Sequence, residues 1–358
     1  FSANPSSPTL PAVVRCDSSN RTVIDAKLVP VGRLSQARSG MAVATIGSKI
    51  LFAGAGMMEG GTNGSARVDI YDTATRSWSR AELSQARAGI AAVTAGTKVF
   101  FAGGYFYDSN QDDYIPFATV DIYDVATNSW TVAHLSEPRG NLAAATVGDK
   151  VVFAGGQTNL YNATATVDIY DLSTGAWSTT QLSKVGCYIT AVTLNYKIYF
   201  AGAQHSDGTG GFGPSSHIDI YDYETNSWST ASFGRSVEYL AGVAAAGRIY
   251  WASRCFMETR DGQSGNSTKG KLFTSGIWMG VYGQNAVIRN NKMVFYRHHK
   301  DYRTTAFDIY DIATDTWSIG VVPEEIFHTS IISVGHTIYL AGGTINNVLT
   351  DQVWKLEF

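Results

Sequence analysis

The chain has 358 residues, 44% of them hydrophobic, 12% aromatic and only 16% charged. That composition excludes a disordered protein, which needs high net charge and few aromatics, and a coiled coil, which needs Glu, Lys, Leu and Ala at helical spacing. Thirty acids against 27 bases, a formal charge of −3, give no bulk attraction for nucleic acid, and no apolar run approaches the ~18 residues of a membrane span.

Residues 1–23 are rich in Pro, Ser and Asn and read as an extended tail or linker. The start at Phe1 rather than Met is read as loss of an upstream segment. Asn20, Asn63, Asn162 and Asn266 each open an Asn-x-Ser/Thr acceptor pattern, which agrees with an exported protein. From residue 24 onward a unit recurs. Lys49-Ile-Leu-Phe-Ala-Gly returns as Lys98-Val-Phe-Phe-Ala-Gly, Lys150-Val-Val-Phe-Ala-Gly and Lys197-Ile-Tyr-Phe-Ala-Gly. Weaker copies begin at Arg248, Lys292 and Thr337, so seven copies lie 44 to 52 residues apart.

Each copy divides into four short strands. In the first copy these are Ala42–Ile46 ending at Gly47, the Lys49 strand closed by Gly54, Val68-Asp-Ile-Tyr-Asp72, and a strand opening at Trp78. Asp72 and Thr75 stand between the last two, where their side chains can pin a hairpin turn. The final copy stops at its third strand, Val353–Phe358. Residues 24–33 align with the Trp78 strand through Leu34-Ser35 and are expected to complete it. Length alone suggests two or three domains. The repeat predicts one all-β domain over 24–358, a seven-bladed β-propeller of four-stranded antiparallel blades, its ring closed by the N-terminal strand.

Tyr71 to Trp78, Tyr123 to Trp130, Tyr170 to Trp177, Tyr221 to Trp228 and Tyr310 to Trp317 keep one six-residue gap, and Gly-Gly doublets such as Gly103-Gly104 precede several of them. This pattern resembles the kelch repeat and covers essentially residues 24–358. Some kelch propellers are enzymes, notably copper radical oxidases and sugar-acid epimerases. The oxidase pattern needs a Tyr-His pair and a Tyr-linked Cys; this chain has no Tyr-His dipeptide, and Cys255 precedes Phe256. Adjacent His298 and His299 point to opposite faces of a strand and suit one metal ion poorly. No nucleophile elbow or phosphate loop appears, so no cofactor, metal or catalytic residue is assigned. An epimerase or lyase acting on an acidic sugar has no linear motif and stays open.

Counting 11 residues back from each Lys position aligns Arg38, Arg87, Arg139, Gly186, Val237, Val281 and Ile326; two positions later come Gly40, Gly89, Asn141, Tyr188, Tyr239, Gly283 and His328. First strands line a propeller's channel, so these columns are placed at one channel mouth. Where other blades carry small doublets, Arg254 and the Arg297-His298 pair stand. Long loops over 104–118, 203–216 and 253–269 add aromatics, among them Tyr105, Tyr107 and Tyr114. The ligand-binding set is therefore Arg38, Arg87, Arg139, Tyr188, Tyr239, Arg254, Tyr282, Arg297, His298 and His328. Three arginines could clamp an anion; alternatively each pairs internally with a neighbouring carboxylate or backbone carbonyl. The recurring Asp69, Asp121, Asp168, Asp219 and Asp308 read as structural, since a single site does not need one copy per blade. Cys187 and Cys255 are placed on the same face in adjacent blades, with a disulfide between them left open. The expected function is a secreted or cell-surface monomeric binding module for a glycan or protein partner. An acidic-sugar enzyme and a structural spacer of a larger surface protein are the alternatives.

Overall fold

In a computed structural model the described residues are 22–55, 64–110, 112–206, 212–237, 240–253, 256–271, 286–298 and 305–358. Seven antiparallel four-stranded units stand around one axis. Their innermost strands are Ala42–Ile46, Ala91–Ala95, Ala143–Val147, Thr190–Leu194, Ala241–Ala245, Ala286–Arg289 and Ser330–Val334. Each inner strand touches the next, and Ser330–Val334 touches Ala42–Ile46, so the ring is closed. These strands are rich in small residues, chiefly Ala with Val, Ser and Thr, because seven of them converge on the axis. The second strands, such as Lys49–Ala53 and Lys150–Ala154, are buried at every position but the first. They are packed on both faces by neighbouring blades, and so read as unbroken apolar runs rather than alternating ones.

In five of the units a Tyr–Trp pair binds blade to blade. Tyr71 and Trp78 lie 4.8 Å apart between ring centroids, and Trp78 also stacks on Phe52 at 6.3 Å. Both join Tyr339 and Val353 of the last blade in one apolar cluster. Gly32 makes room for this contact: a Cβ there would meet Trp78 Nε1 at 2.6 Å. Beside this pair, Asp72 Oδ1 accepts from the backbone N–H groups of Ala74 and Thr75 at 3.0 and 3.3 Å, closing the expected turn. The strand-start lysines pair with the same aspartates, as Lys98 does with Asp124 at 2.5 Å.

Two expectations are corrected. The strand expected over 24–33 divides in two. Thr22–Asp25 pairs in parallel with Thr316–Val322 as a fifth strand of blade 6, and only Lys27–Arg33 pairs with Gln352–Glu357 to complete blade 7. The break falls at Ala26, which is buried and sits against Gly320, where a Cβ would be only 3.2 Å away. Second, 253–269 is not one long loop. Phe256–Asp261 and Ser267–Lys271 are the third and fourth strands of blade 5. Asp261 holds their turn by accepting from Gln263 and Ser264 N–H. The sequence hides this blade because it lacks the Tyr and Trp of the others.

Removing residues 1–33 opens blade 7 at its outer edge and strips the extra strand from blade 6. Removing 1–20 leaves both pairings. The longer truncation should lower the melting temperature by more than about 10 °C, a loss on the order of several kcal/mol, and the shorter one should not. Differential scanning calorimetry of the two truncations provides the comparison.

Candidate binding site at the channel mouth

The arginine column does not form an open cationic rim. Arg38, Arg87 and Arg139 are 2%, 0% and 0% exposed. Their Nη2 atoms lie 2.5, 2.7 and 2.7 Å from Asp69, Asp121 and Asp168 of the same blade. The same guanidinium groups reach the carbonyls of Phe52, Phe101 and Phe153. Each aspartate accepts a further bond from the backbone N–H of Ser35, Ser84 or Ser136, on the connector arriving from the preceding blade. Burial pulls Arg38 and Arg87 below their ordinary pKa, and the facing carboxylates oppose that pull. The physical reason for the correction is the connector itself. It runs from the rim of one blade to the axis of the next, and its buried polar groups need partners. In blade 7 the two positions hold Ile326 and Trp354, both buried in one apolar cluster, so arginine and aspartate are lost together.

The column two residues further on behaves differently. Gly40, Gly89, Asn141, Tyr188 and His328 all adopt left-handed backbone, with φ between 51 and 61°. Blade-to-blade hydrogen bonds hold them there: Gly40 N–H to His328 O at 3.1 Å, Asn141 N–H to Gly89 O at 2.9 Å, and Tyr188 N–H to Asn141 O at 3.1 Å. Glycine suits such a position, whereas a bulky side chain pays of order 1–3 kcal/mol. Three blades therefore put a side chain into the mouth against local backbone preference. Gly40, Gly89, Asn141, Tyr188 and the small inner-strand residues line a cavity of about 220 Å³.

Over blades 2 and 3 the mouth has a defined wall. Asn141 Nδ2 donates to Gln157 Oε1 at 2.6 Å and to the Tyr188 hydroxyl at 3.2 Å. Tyr105, 1% exposed, lies against Gly89 and Gly140, where added Cβ atoms would come within 2.3 and 2.5 Å of its ring. The hairpin of Tyr105–Asp108 and Asp113–Pro116 stacks Tyr114 on Tyr105 at 4.2 Å and sets Tyr107 edge-on to Tyr114 at 5.9 Å. Tyr107 donates to Asp112, which raises the pKa of the phenol. Asp113 Oδ1 accepts from Leu160 N–H at 2.8 Å, fastening the hairpin to the blade 3 loop that exposes Tyr161.

Of the residues assigned from sequence, the structure brings Tyr188 and His328 to the mouth and buries the three arginines in blades. Tyr239, Arg254 and Tyr282 lie outside the described residues. Arg297 and His298 end the second strand of blade 6, their backbones opposite Ala306 and Thr305; their side chains lie outside the described set. Cys187 is a free, buried thiol that desolvation pushes above its usual pKa range, and Cys255 lies outside the described residues. Asn141 and Gln157 were not assigned. The available signal was Asn141 in a column otherwise opened by Gly40 and Gly89.

A family model described as the kelch motif matches residues 86–133 and 138–180, which span most of blades 2 and 3. A solved structure titled "Structure of YjhT" aligns with a TM-score of 0.53 at 12% identity, covering 90% of this chain and 95% of that one. At such identity the likeness speaks to fold alone. No curated protein matches the chain significantly. Seven antiparallel blades in a closed ring define a β-propeller. Blades 2 and 3 of this propeller thus match the kelch motif. Among the described residues no helix is long and apolar enough to cross a membrane.

Two predictions follow from this geometry. Arg87→Ala leaves Asp121 buried without its cation and should cost about 3–5 kcal/mol in urea denaturation. Arg87→Ile with Asp121→Leu, which imitates the apolar solution of blade 7, should recover a large part of that loss. His328→Gly relieves the left-handed side chain and should leave the melting temperature unchanged or slightly raised. Burial also lowers the His328 pKa. Above about pH 6.5 the imidazole is neutral in both states and contributes nothing. As pH falls below that value the unfolded chain takes the proton first, so stability declines toward the lowered folded pKa. The glycine variant should lack this part of the acid decline in pH-dependent melting curves.

Proposed function

We propose that this kelch propeller is a binding module that takes the end of a neutral glycan at the channel mouth, against the blade 2–3 wall. The observation that carries the reading is the side chains at left-handed positions. Asn141 and Tyr188 extend from backbone that favours glycine and line the cavity, and Asn141 bonds both Gln157 and the Tyr188 hydroxyl. Amides and phenols exchange hydrogen bonds with hydroxyls, and tyrosine rings fixed on a rigid hairpin offer flat apolar area to a pyranose face. The cavity of about 220 Å³ lies below the ~300 Å³ of a typical small-molecule cleft, which favours a chain end over a whole oligosaccharide. With Arg38, Arg87 and Arg139 committed to buried aspartates, an acidic sugar loses its clamp. A secreted or surface location and a monomeric state belong to the same reading. Asn162 and Asn266 support it, as exposed acceptor-pattern asparagines.

Titration calorimetry with neutral and acidic oligosaccharides tests the reading. Asn141→Gly and Tyr188→Gly, which keep the backbone its preferred residue, should weaken neutral-glycan binding by about tenfold or more without lowering the melting temperature. Binding selective for sialate or uronate and weakened by salt would overturn it, as would turnover of such sugars.

A further inference from the structure

The tyrosines over blades 2 and 3 form a run that starts at the cavity and ends in solvent. Gly89 lines the cavity, and the Tyr105 ring lies against it. Tyr114 stacks on Tyr105, and Tyr107 stands edge-on to Tyr114. Exposure grows along the run, from the buried Tyr105 through the half-buried Tyr114 and Tyr107 to Tyr161 of blade 3, which is 50% exposed. Asp112 first, then burial and the neighbouring Tyr161 phenol, disfavour ionisation of Tyr107. The loop that carries Tyr161 is held from two sides. On the hairpin, Asp113 Oδ1 accepts from Leu160 N–H at 2.8 Å and from Tyr114 N–H at 2.7 Å. On the mouth side, Gln157 Nε2 donates to Leu160 O at 3.4 Å while its Oε1 accepts from Asn141. Asn159 Oδ1 then accepts from the N–H groups of Tyr161 and Asn162 at 2.9 and 2.8 Å.

We infer that Tyr107 and Tyr161 form a second subsite, which takes the sugar that follows the terminal one, and that Asp113 is the positioning residue that sets Tyr161 for it; this rests on the mouth being a neutral-glycan site. The cavity of about 220 Å³ has room for a chain end only. The rest of the chain must leave it, and on the side of Asn141 it leaves across Gln157 and the loop that Gln157 holds. Tyr161 belongs to none of the apolar clusters that pack the blades, so its ring is not placed there by core packing. Its backbone is nonetheless fixed through the side chains of Asp113, Gln157 and Asn159. Polar anchoring of a loop that buries little of its own surface is how a rigid scaffold presents a binding side chain. A tyrosine so fixed offers flat, amphipathic contact area at low cost in side-chain entropy. Asp113 matters because it ties Leu160 to the hairpin that carries Tyr107, and so sets one tyrosine relative to the other.

Titration calorimetry compares glucose, galactose, mannose and N-acetylglucosamine with the di- and trisaccharides that end in each. In the wild type the second sugar should raise affinity about fivefold, and the third should add little. Tyr161→Ala should abolish that gain and leave monosaccharide affinity unchanged, whereas Asn141→Gly should lower affinity for both. Asp113→Ala should lose the gain together with hydrogen-exchange protection of the Leu160 amide. Asp113→Asn, which keeps an acceptor oxygen, should retain both. A full gain in Tyr161→Ala, or no gain in a wild type that binds monosaccharide through Asn141, would overturn the subsite and leave the mouth reading standing. A gain that needs Tyr161, with affinities untouched by Asn141→Gly, would uphold the subsite and reject the mouth. Binding of no sugar in the panel would reject both.

Discussion

Blades 1 to 4 are each reached by a connector that descends from the rim to the axis, and burying that connector is the constraint on which the propeller depends. Its backbone N–H groups leave water without joining a sheet. In blades 1 to 3 one aspartate on the third strand answers this need. It accepts from the connector's serine N–H and from an arginine side chain, which itself reaches a second-strand carbonyl. The clamp thus ties three segments of chain at one buried point. A buried ion pair is a poor source of net stability, because desolvation of both charges offsets their attraction. Its value here is geometric: only one placement of the connector satisfies all the bonds. Blade 7 shows the alternative, filling the same space with Ile326 and Trp354.

Fixing the connectors fixes the mouth. The clamp residue and the left-handed residue are two positions apart, so a rigid arginine on one leaves little freedom for the other. At Gly40 and Gly89 the ring is smooth. At Asn141, Tyr188 and His328 the same backbone carries side chains. Because strain is tolerated only where the surroundings over-determine it, the blade-to-blade hydrogen bonds that hold these residues also make it possible to keep them there.

The repeat made the architecture legible, since tyrosine, tryptophan and glycine recur at spacings that only blade packing explains. Blade 5 was obscured because Phe256-Met-Glu-Thr-Arg-Asp261 keeps the turn aspartate but not the aromatics. The parallel strand Thr22–Asp25 was hidden for a different reason: parallel pairing at an edge imposes no repeat. Counting back from the lysines placed the two mouth columns in register. It could not give side-chain direction, and so an inward-facing arginine looked like an outward-facing one. Direction was nonetheless encoded in co-occurrence, because blades 1 to 3 carry both Arg and Asp while blade 7 carries neither. Gln157 recurs as Gln204 in the next blade, which marks a structural position; its importance to the site comes from lying beside Asn141, which only the folded loop establishes.

A propeller built of near-identical units specialises by the exceptions its framework can absorb. An exception in a second strand would open a void between two blades, since those strands are buried on both faces. An exception at the left-handed column costs only local strain and projects into open space. Blade 4 combines two exceptions at one connector: Tyr188 where glycine is easiest, and a third-strand histidine beside the aspartate that arginine holds in blades 1 to 3. Random loss of the arginine would have left Asp219 buried with Ser183 N–H alone. Instead His217 of the third strand reaches both Asp219 and the Ser183 hydroxyl. That contact holds the connector at the point where the chain turns toward the mouth.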